Sequence, residues 1–468
     1  MSIKNLINFK NIKKSNLTYI LVWIFYYAWV IVFTTWWTSS PVTVAVFDAE
    51  MRAMLHIINL TASAVFIFIL KREWYVVSSR ISAVFLIVSS VIFLTIQNDT
   101  AQTVAAIVLA VAIGGLNASI LIPFVFVLNN TEKFYSVVFS NLLISVMILL
   151  QEFGTLKVTD SIIFSLIMLA LSILPTIFFK KSDLLESYPK NLSLVPKYSK
   201  ITYLTIALNC VYAIMCKSVG KIFLQNADMQ TAIALEPYFY FGAILGCVVY
   251  FLIYMVFRNS NQTTWNVTFS TFVAAMLLYS FGNNSNVVLG FFAVLLGVGS
   301  TMGMINMYYI LGVIGKKYFS IKYVRLSILF IGTCGGVSGI LIALLTKQSP
   351  ITAGMALAGF SAIAIVILLM FSPTLTQKYF CDSWASDSEK SDVNTSLNYL
   401  QKYNLSKRES EICQLLLQGN TLRQAAAILD ISYATVNTYT TTLYRKLNIN
   451  SRTELLILFK DYIVEPVN

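Results

Sequence analysis

Histidine occurs once in these 468 residues, at His56, and charged residues make up only 12% of the chain. A single imidazole excludes a histidine-rich metal site and any duplicated His motif. Six cysteines, at 210, 216, 247, 334, 381 and 413, form no C-x-x-C pair, and four of them sit in apolar runs. They read as free thiols, not as disulfides or metal ligands, so neither a metal nor another cofactor is expected. No Ser/His/Asp set, no glycine-rich phosphate loop and no pair of acids at a useful spacing is present. These absences argue against an enzyme.

What the chain has in excess is apolar surface: 57% hydrophobic residues and a mean hydropathy of +0.74. Runs of eighteen or so apolar residues recur, each long enough to cross the ~30 Å hydrocarbon layer of a bilayer. Twelve spans are expected: 17–37, 51–70, 81–96, 101–128, 134–151, 159–179, 201–224, 237–257, 265–281, 287–314, 324–345 and 351–371. Lys4, Lys10, Lys13 and Lys14 precede the first of them, as in a signal peptide. The run Leu17–Trp37 is too long for a signal core and lacks a small-residue cleavage site, so it reads as an uncleaved span.

The net charge of +12 invites a nucleic-acid reading, but most of it lies between spans. In alternate segments counted from the N-terminus there are eighteen Lys and Arg; the opposite segments hold only Arg52, Lys157 and Lys347. The positive-inside rule then puts both termini in the cytoplasm of a cell whose inner membrane carries this chain. The longest positive loop, 180–200, separates six spans from six. A shift of 184 residues sets Leu17-Thr18-Tyr19 on Ile201-Thr202-Tyr203 and residues 132–136 on 316–320, with Gly115 on Gly299. Such a six-plus-six parallel repeat resembles the major facilitator transporters. The signature of that family between spans two and three, G-x-x-x-D-R-x-G-R, is absent, and the loop reads Lys71 to Arg80 without Gly or Asp.

Residues 372–404 are polar and aperiodic, a flexible linker with a root-mean-square span of about 30 Å. Beyond it, residues 405–468 form a different kind of domain. Ser406 stands three before Glu409, Thr421 three before Gln424, and Ser451 three before Glu454, each a capping-box spacing. Ser432 is a fourth cap, and Gly419 is placed to end the first helix. Four helices follow: 407–417, 422–429, 433–447 and 452–461. Ile412, Leu415, Leu416, Ala426, Leu429, Val436, Leu443, Leu447, Leu455 and Leu458 would share one core. The short turn Asp430-Ile431-Ser432 makes the middle pair a helix-turn-helix.

This stretch resembles the LuxR/NarL/FixJ-type DNA-binding domain. The residues carrying the resemblance are Leu405, Ser406, Arg408, Glu409, Glu411, Ile412, Gly419, Leu429, Ile431, Ser432, Thr435, Val436, Lys446, Leu447, Arg452 and Glu454. Tyr439, Asn437 and Asn448 stand where that family commonly has His, Lys and Gly. The resemblance implies base contacts from Asn437, Thr438 and Thr441, with Asn suited to adenine and Thr to a thymine methyl. It implies phosphate contacts from Arg423, Ser432, Thr435, Arg445 and Lys446; the plain alternative for the three cations is a solvated basic face. From Leu400 onward the net charge is only +2, so a homodimer is expected on double-stranded operator DNA, paired through the fourth helix.

A second candidate site lies among the spans. Lys217 and Lys221 share a helical face in span seven, and His56 sits near Glu50 and Arg52 at the start of span two. Intramembrane charge usually faces a bundle interior, so these three residues are candidates to meet an anionic small molecule; snorkelling is the plain alternative for Lys221. Tyr26 and Tyr27 of span one would line a cavity, face lipid or pack.

The expected fold is therefore all-α: a polytopic bundle of twelve transmembrane helices in residues 1–371, a linker, and a small four-helix helix-turn-helix domain. The expected function is a membrane-embedded one-component transcription regulator whose bundle senses a small molecule or a membrane state. The alternatives are a major-facilitator-type transporter with a regulatory DNA-binding tail, and a tail that serves only protein interaction.

Overall fold

The computed structural model describes residues 12–39, 51–69, 74–96, 98–154, 162–180, 213–214, 216–224, 227, 234–256, 261–282, 285–317, 359, 362, 366, 403, 405–417, 421–429 and 431–459. The chain divides into two compact units, Met1–Ser386 and Asp387–Asn468, with the division inside the polar stretch 372–404. Every regular element among the described residues is helical.

In the first unit the helices are α1 (Leu17–Ser39), α2 (Met51–Ile69), α3 (Tyr75–Thr95), α4 (Asp99–Phe126), α5 (Asn130–Glu152), α6 (Ile162–Ile173), α7 (216–224), α8 (Glu236–Val256), α9 (Asn261–Gly282) and α10 (Asn286–Lys317). Six stretches among the described residues are long and apolar enough to cross a membrane. The eleventh expected span, 324–345, lies outside the described residues; of the twelfth, positions 359, 362 and 366 are described and helical.

Two boundaries depart most from the expected spans. Helix α3 begins at Tyr75, not at 81, so the expected loop Lys71–Arg80 is helical over its second half. Arg80 stays on the helix because its long stem carries the guanidinium to the Ile177 carbonyl, 3.0 Å away. Helix α6 stops at Ile173 and continues as a 3₁₀ turn, Leu174–Phe178, because Pro175 has no N–H to give an α-helix.

The bundle's surface is inverted relative to a water-soluble protein. On α3, Val77, Ile81, Val84, Phe85, Val88 and Val91 are exposed, while Ser79, Ser82, Ser89 and Ser90 are buried. Ser79 and Ser89 return their hydroxyls to the carbonyls of Val76 and Phe85. An apolar outside with small polar residues inside is the arrangement that lipid chains solvate and that lets helices approach closely.

The two halves pack alike. Helix α4 lies between α2 and α3, and α10 lies between α8 and α9, which are the positions that the 184-residue shift equates. In both halves glycine permits the approach. A Cβ on Gly115 would strike Ser82 of α3, and one on Gly299 would meet Thr271 of α9 at 2.8 Å. Gly242 and Gly246, a G-x-x-x-G pair, lie against the Val294 and Val298 carbonyls of α10.

Charge ties the halves at one end. Glu132 closes a capping box with Asn129, is fully buried, and accepts the Lys13 N–H (2.9 Å), the Asn16 amide (2.8 Å) and the Asn129 N–H (2.9 Å). Lys133 donates to the Gly312 carbonyl at 3.0 Å, and Lys316 donates to the Leu128 carbonyl at 3.1 Å. Lys133 thus reaches a carbonyl in the last turns of α10, and Lys316 reaches one just past the C-terminus of α4; cations are favoured near helix C-termini.

Candidate nucleic-acid interface

The second unit holds α11 (Lys407–Leu417), α12 (Leu422–Leu429), α13 (Tyr433–Leu447) and α14 (Arg452–Leu458). The caps form as their spacing requires. Glu409 N–H donates to Ser406 Oγ (3.3 Å) while the Glu409 carboxylate accepts the Ser406 N–H (2.7 Å). Thr421 and Gln424 make the same reciprocal pair, and Ser432 caps α13 through the Thr435 N–H. At α14 the arrangement differs slightly: Glu454 passes Ser451's own N–H and takes that of Asn450 at 2.9 Å. Gly419 lies outside the described residues.

Ile412, Leu416, Ala425, Ala426, Val436, Leu443, Leu447 and Leu455 form the core, with Leu415 and Leu429 partly buried against it. Leu458, expected in this core, is exposed. Phe459 fills that place, 2% exposed with its ring 5.8 Å from Tyr403, because the last turn shifts the inward position by one residue. Cys413 is a buried thiol, pushed up to about 12 by burial. Asn448 ends α13 at φ 53°, a left-handed position. That conformation explains the glycine usual there in the resembled family, and Asn is among the few other residues that reach it.

Helix α13 shows two faces. Val436, Thr440, Leu443 and Leu447 are buried; Ala434, Thr435, Asn437, Thr438, Thr441 and Arg445 are exposed. The expected base-contacting residues Asn437, Thr438 and Thr441 thus share one outward stripe, with Arg445 continuing it. Arg423 of α12 holds its guanidinium over the Tyr433 ring, 5.9 Å from the centroid, at the N-terminal end of the stripe. Ser432 and Thr435 join hydroxyl to hydroxyl at 2.7 Å.

Lys446 is bound within the domain. Its ammonium meets Glu409 at 2.6 Å, and the Glu409 side chain is 5% exposed. Burial pushes the Glu409 carboxyl up, but Lys446 and the Ser406 N–H and hydroxyl outweigh it and hold the group below its ordinary value. This lysine is therefore not a free solvated cation, and its first role is to tie α13 to α11. Arg452, at the start of α14, reaches back to the Leu416 carbonyl at 3.3 Å. Sequence spacing shows neither link, because the partners are about thirty-six residues apart.

In the first unit, Lys217 and Lys221 lie half-buried on α7. Lys221 sits over the Phe239 and Tyr240 rings of α8, 5.6 and 5.9 Å from their centroids. The side chain of His56 is outside the described residues, as are Glu50 and Asp228. Tyr26 packs rather than facing lipid: it is fully buried and donates to the Ile113 carbonyl (3.0 Å) beside Asn117 Oδ1 (3.1 Å). Tyr27 contacts Tyr308 of α10.

Residues 403–459 match the model of a family described as bacterial regulatory proteins, luxR family. The chain is 37% identical over 79 residues to an HTH-type transcriptional regulator from the exeN 3′ region of Aeromonas salmonicida, covering 17% of this chain and 40% of that protein. It is 38% identical over 78 residues to the response regulatory protein YgeK of Escherichia coli (strain K12), covering 17% of this chain and 50% of that protein. The chain thus spans half or less of the length of these relatives. As a fold, it is similar to the human organic anion transporter MFSD10 (TETRAN), with a TM-score of 0.51 and 11% identity over 76% of this chain and 97% of that one. It is equally similar to the major facilitator superfamily transporter FucP in its outward conformation, with a TM-score of 0.51 and 14% identity over 75% of this chain and 98% of that one.

Proposed function

We propose that this protein is a membrane-embedded one-component transcription regulator. A twelve-span, six-plus-six bundle senses a small molecule or a membrane state, and the C-terminal domain, tethered by residues 372–404, binds operator DNA. The observation that carries the reading is the outward stripe of α13, Asn437, Thr438 and Thr441, on a separately cored domain carried by the same chain as the apolar bundle. Asn437 reads adenine; Arg423, Ser432, Thr435, Arg445 and Lys446 meet phosphates. The domain pairs as a homodimer through α14, where Leu458 remains exposed.

Both termini lie in the cytoplasm, beneath the inner membrane. Reporters fused after Asn468 and within 282–286 are expected on opposite sides of the membrane; signals from one side would discard the span count. The signal is an anionic molecule contacted by Lys217, while Lys221 is held by its aromatic neighbours. A ligand shifts the bundle only by binding its conformations unequally.

The test is promoter occupancy in cells. The wild type should enrich a small set of promoter fragments. Asn437→Ala should lose about 1–3 kcal/mol of preference at one base position. Lys217→Gln should keep membrane insertion and DNA binding but flatten the ligand response. Uniform occupancy with and without Asn437 would remove the DNA-reading assignment, and an unchanged dose response would remove Lys217.

The fold likeness to transporters favours one further reading, a working transporter whose tail regulates transcription. Substrate flux in vesicles separates the two: a regulator without transport moves none.

A further inference from the structure

Four of the five threonines of α13 have already used their hydroxyl protons. Thr438 donates to the Ala434 carbonyl at 3.0 Å, Thr441 to Asn437 at 3.0 Å and Thr442 to Thr438 at 3.1 Å, each four residues back. Thr440, on the buried face, does the same to Val436 at 2.8 Å. Four hydroxyls therefore fold back onto their own helix, a common resort of Thr in helix interiors. What Thr438 and Thr441 can still present outward is a γ-methyl and an acceptor lone pair, without a free donor. Ala434, one turn before Thr438 on the same stripe, adds a third methyl.

A major groove offers one apolar feature to such a surface, the C5-methyl of thymine. A hydroxyl that must first break its helical bond to donate to a base edge gains little from the exchange, because one hydrogen bond replaces another. Contact between methyl groups needs no such exchange and removes apolar surface from water.

We propose, on the basis of the DNA-binding reading above, that this domain recognises thymine through the γ-methyls of Thr438 and Thr441, with their hydroxyls serving the helix. Its operator half-site then carries thymines opposite these two residues, next to the adenine read by Asn437.

The test uses the full-length protein in detergent and an operator selected from a random duplex pool. Each thymine in the bound half-site is replaced in turn by deoxyuridine, which removes only the methyl. At one or two positions binding should weaken by about 3- to 10-fold, the range expected for one buried methyl contact. Thr441→Ser, which keeps the hydroxyl and deletes the methyl, should show the same loss on the thymine operator. It should show no added loss on the deoxyuridine operator. Thr441→Val, which keeps the methyl, should bind as the wild type does. Neutral deoxyuridine at every position would overturn the proposal, and so would Thr441→Val binding as poorly as Thr441→Ser. A selection that enriches no sequence would overturn the DNA-reading function as well, so the two failures are distinct.

Discussion

Lys446→Ala should destabilise fragment 398–468 by about 1–3 kcal/mol, the range for a lost hydrogen bond to a charged group. Lys446 holds Glu409 at 2.6 Å, and Glu409 is 5% exposed against 36% for the lysine. Removing the lysine leaves a carboxylate with little access to water, whereas removing a partner from an exposed pair would cost a fraction of this. A four-helix domain of this size has on the order of 0.05–0.15 kcal/mol of stability per residue, so the loss is a large part of the whole. Urea unfolding followed by far-ultraviolet circular dichroism reads it directly. An unchanged midpoint would show that the pair contributes nothing.

The pH dependence gives a second readout of the same contact. In the wild type the Glu409 carboxyl titrates below its ordinary value. Its contribution is fully present above the ordinary carboxylate range and is lost as pH falls through the depressed value. Without Lys446 the carboxylate loses its strongest favourable partner while its burial remains. The acid-side loss of stability should therefore shrink in Lys446→Ala. An unchanged acid limb would show that other carboxylates carry it.

The larger effect belongs to the bundle. Gly242→Val combined with Gly246→Val should abolish accumulation of folded protein in the membrane. At Gly242 the backbone of α8 touches the Val294 carbonyl of α10, and a Cβ on Gly246 would approach the Val298 carbonyl to 2.9 Å. Rigid backbone cannot step aside as a side-chain tip can, so two valines must force the helices apart. Overpacking typically costs about 1–3 kcal/mol per site, and separation of α8 from α10 would add lost contact along the seam. Gly290→Ala is the control on the same α10, since its nearest neighbour is a Tyr238 ring carbon at 3.8 Å. A fluorescent fusion extracted in detergent and run on size exclusion separates folded from aggregated protein. A monodisperse double variant at wild-type level would refute the close-packed seam.

Much of this was legible in local sequence. The caps Ser406, Thr421 and Ser432 form as read, because a capping bond joins residues three apart and needs nothing from the rest of the fold. The starts of the first three tail helices follow from those caps and that of the fourth from Ser451, whose Oγ takes the Glu454 N–H, and the apolar helices of the bundle follow from apolar length. Charge asymmetry and the 184-residue shift were likewise visible, and the packing of α4 and α10 between their flanking helices matches that shift.

Other features had no local signal, and tertiary structure decided them. A cut at Arg80 began the expected third span too late, since hydropathy does not count a side chain long enough to reach the Ile177 carbonyl. Glycine at 242 and 246 is meaningful only once Val294 and Val298 face it. Whether Tyr26 meets lipid, cavity or protein depends on α4 supplying the Ile113 carbonyl. Lys446 reads as a surface cation until Glu409 comes within 2.6 Å across thirty-seven positions. The sequence by itself determined which segments are helices, which of them are apolar and, in the tail, where they start, because propensity, capping and hydropathy act over a few residues. Only the tertiary structure decided which charges are neutralised, which glycines touch backbone and which face of α13 remains open, because those depend on distances between residues far apart in the chain.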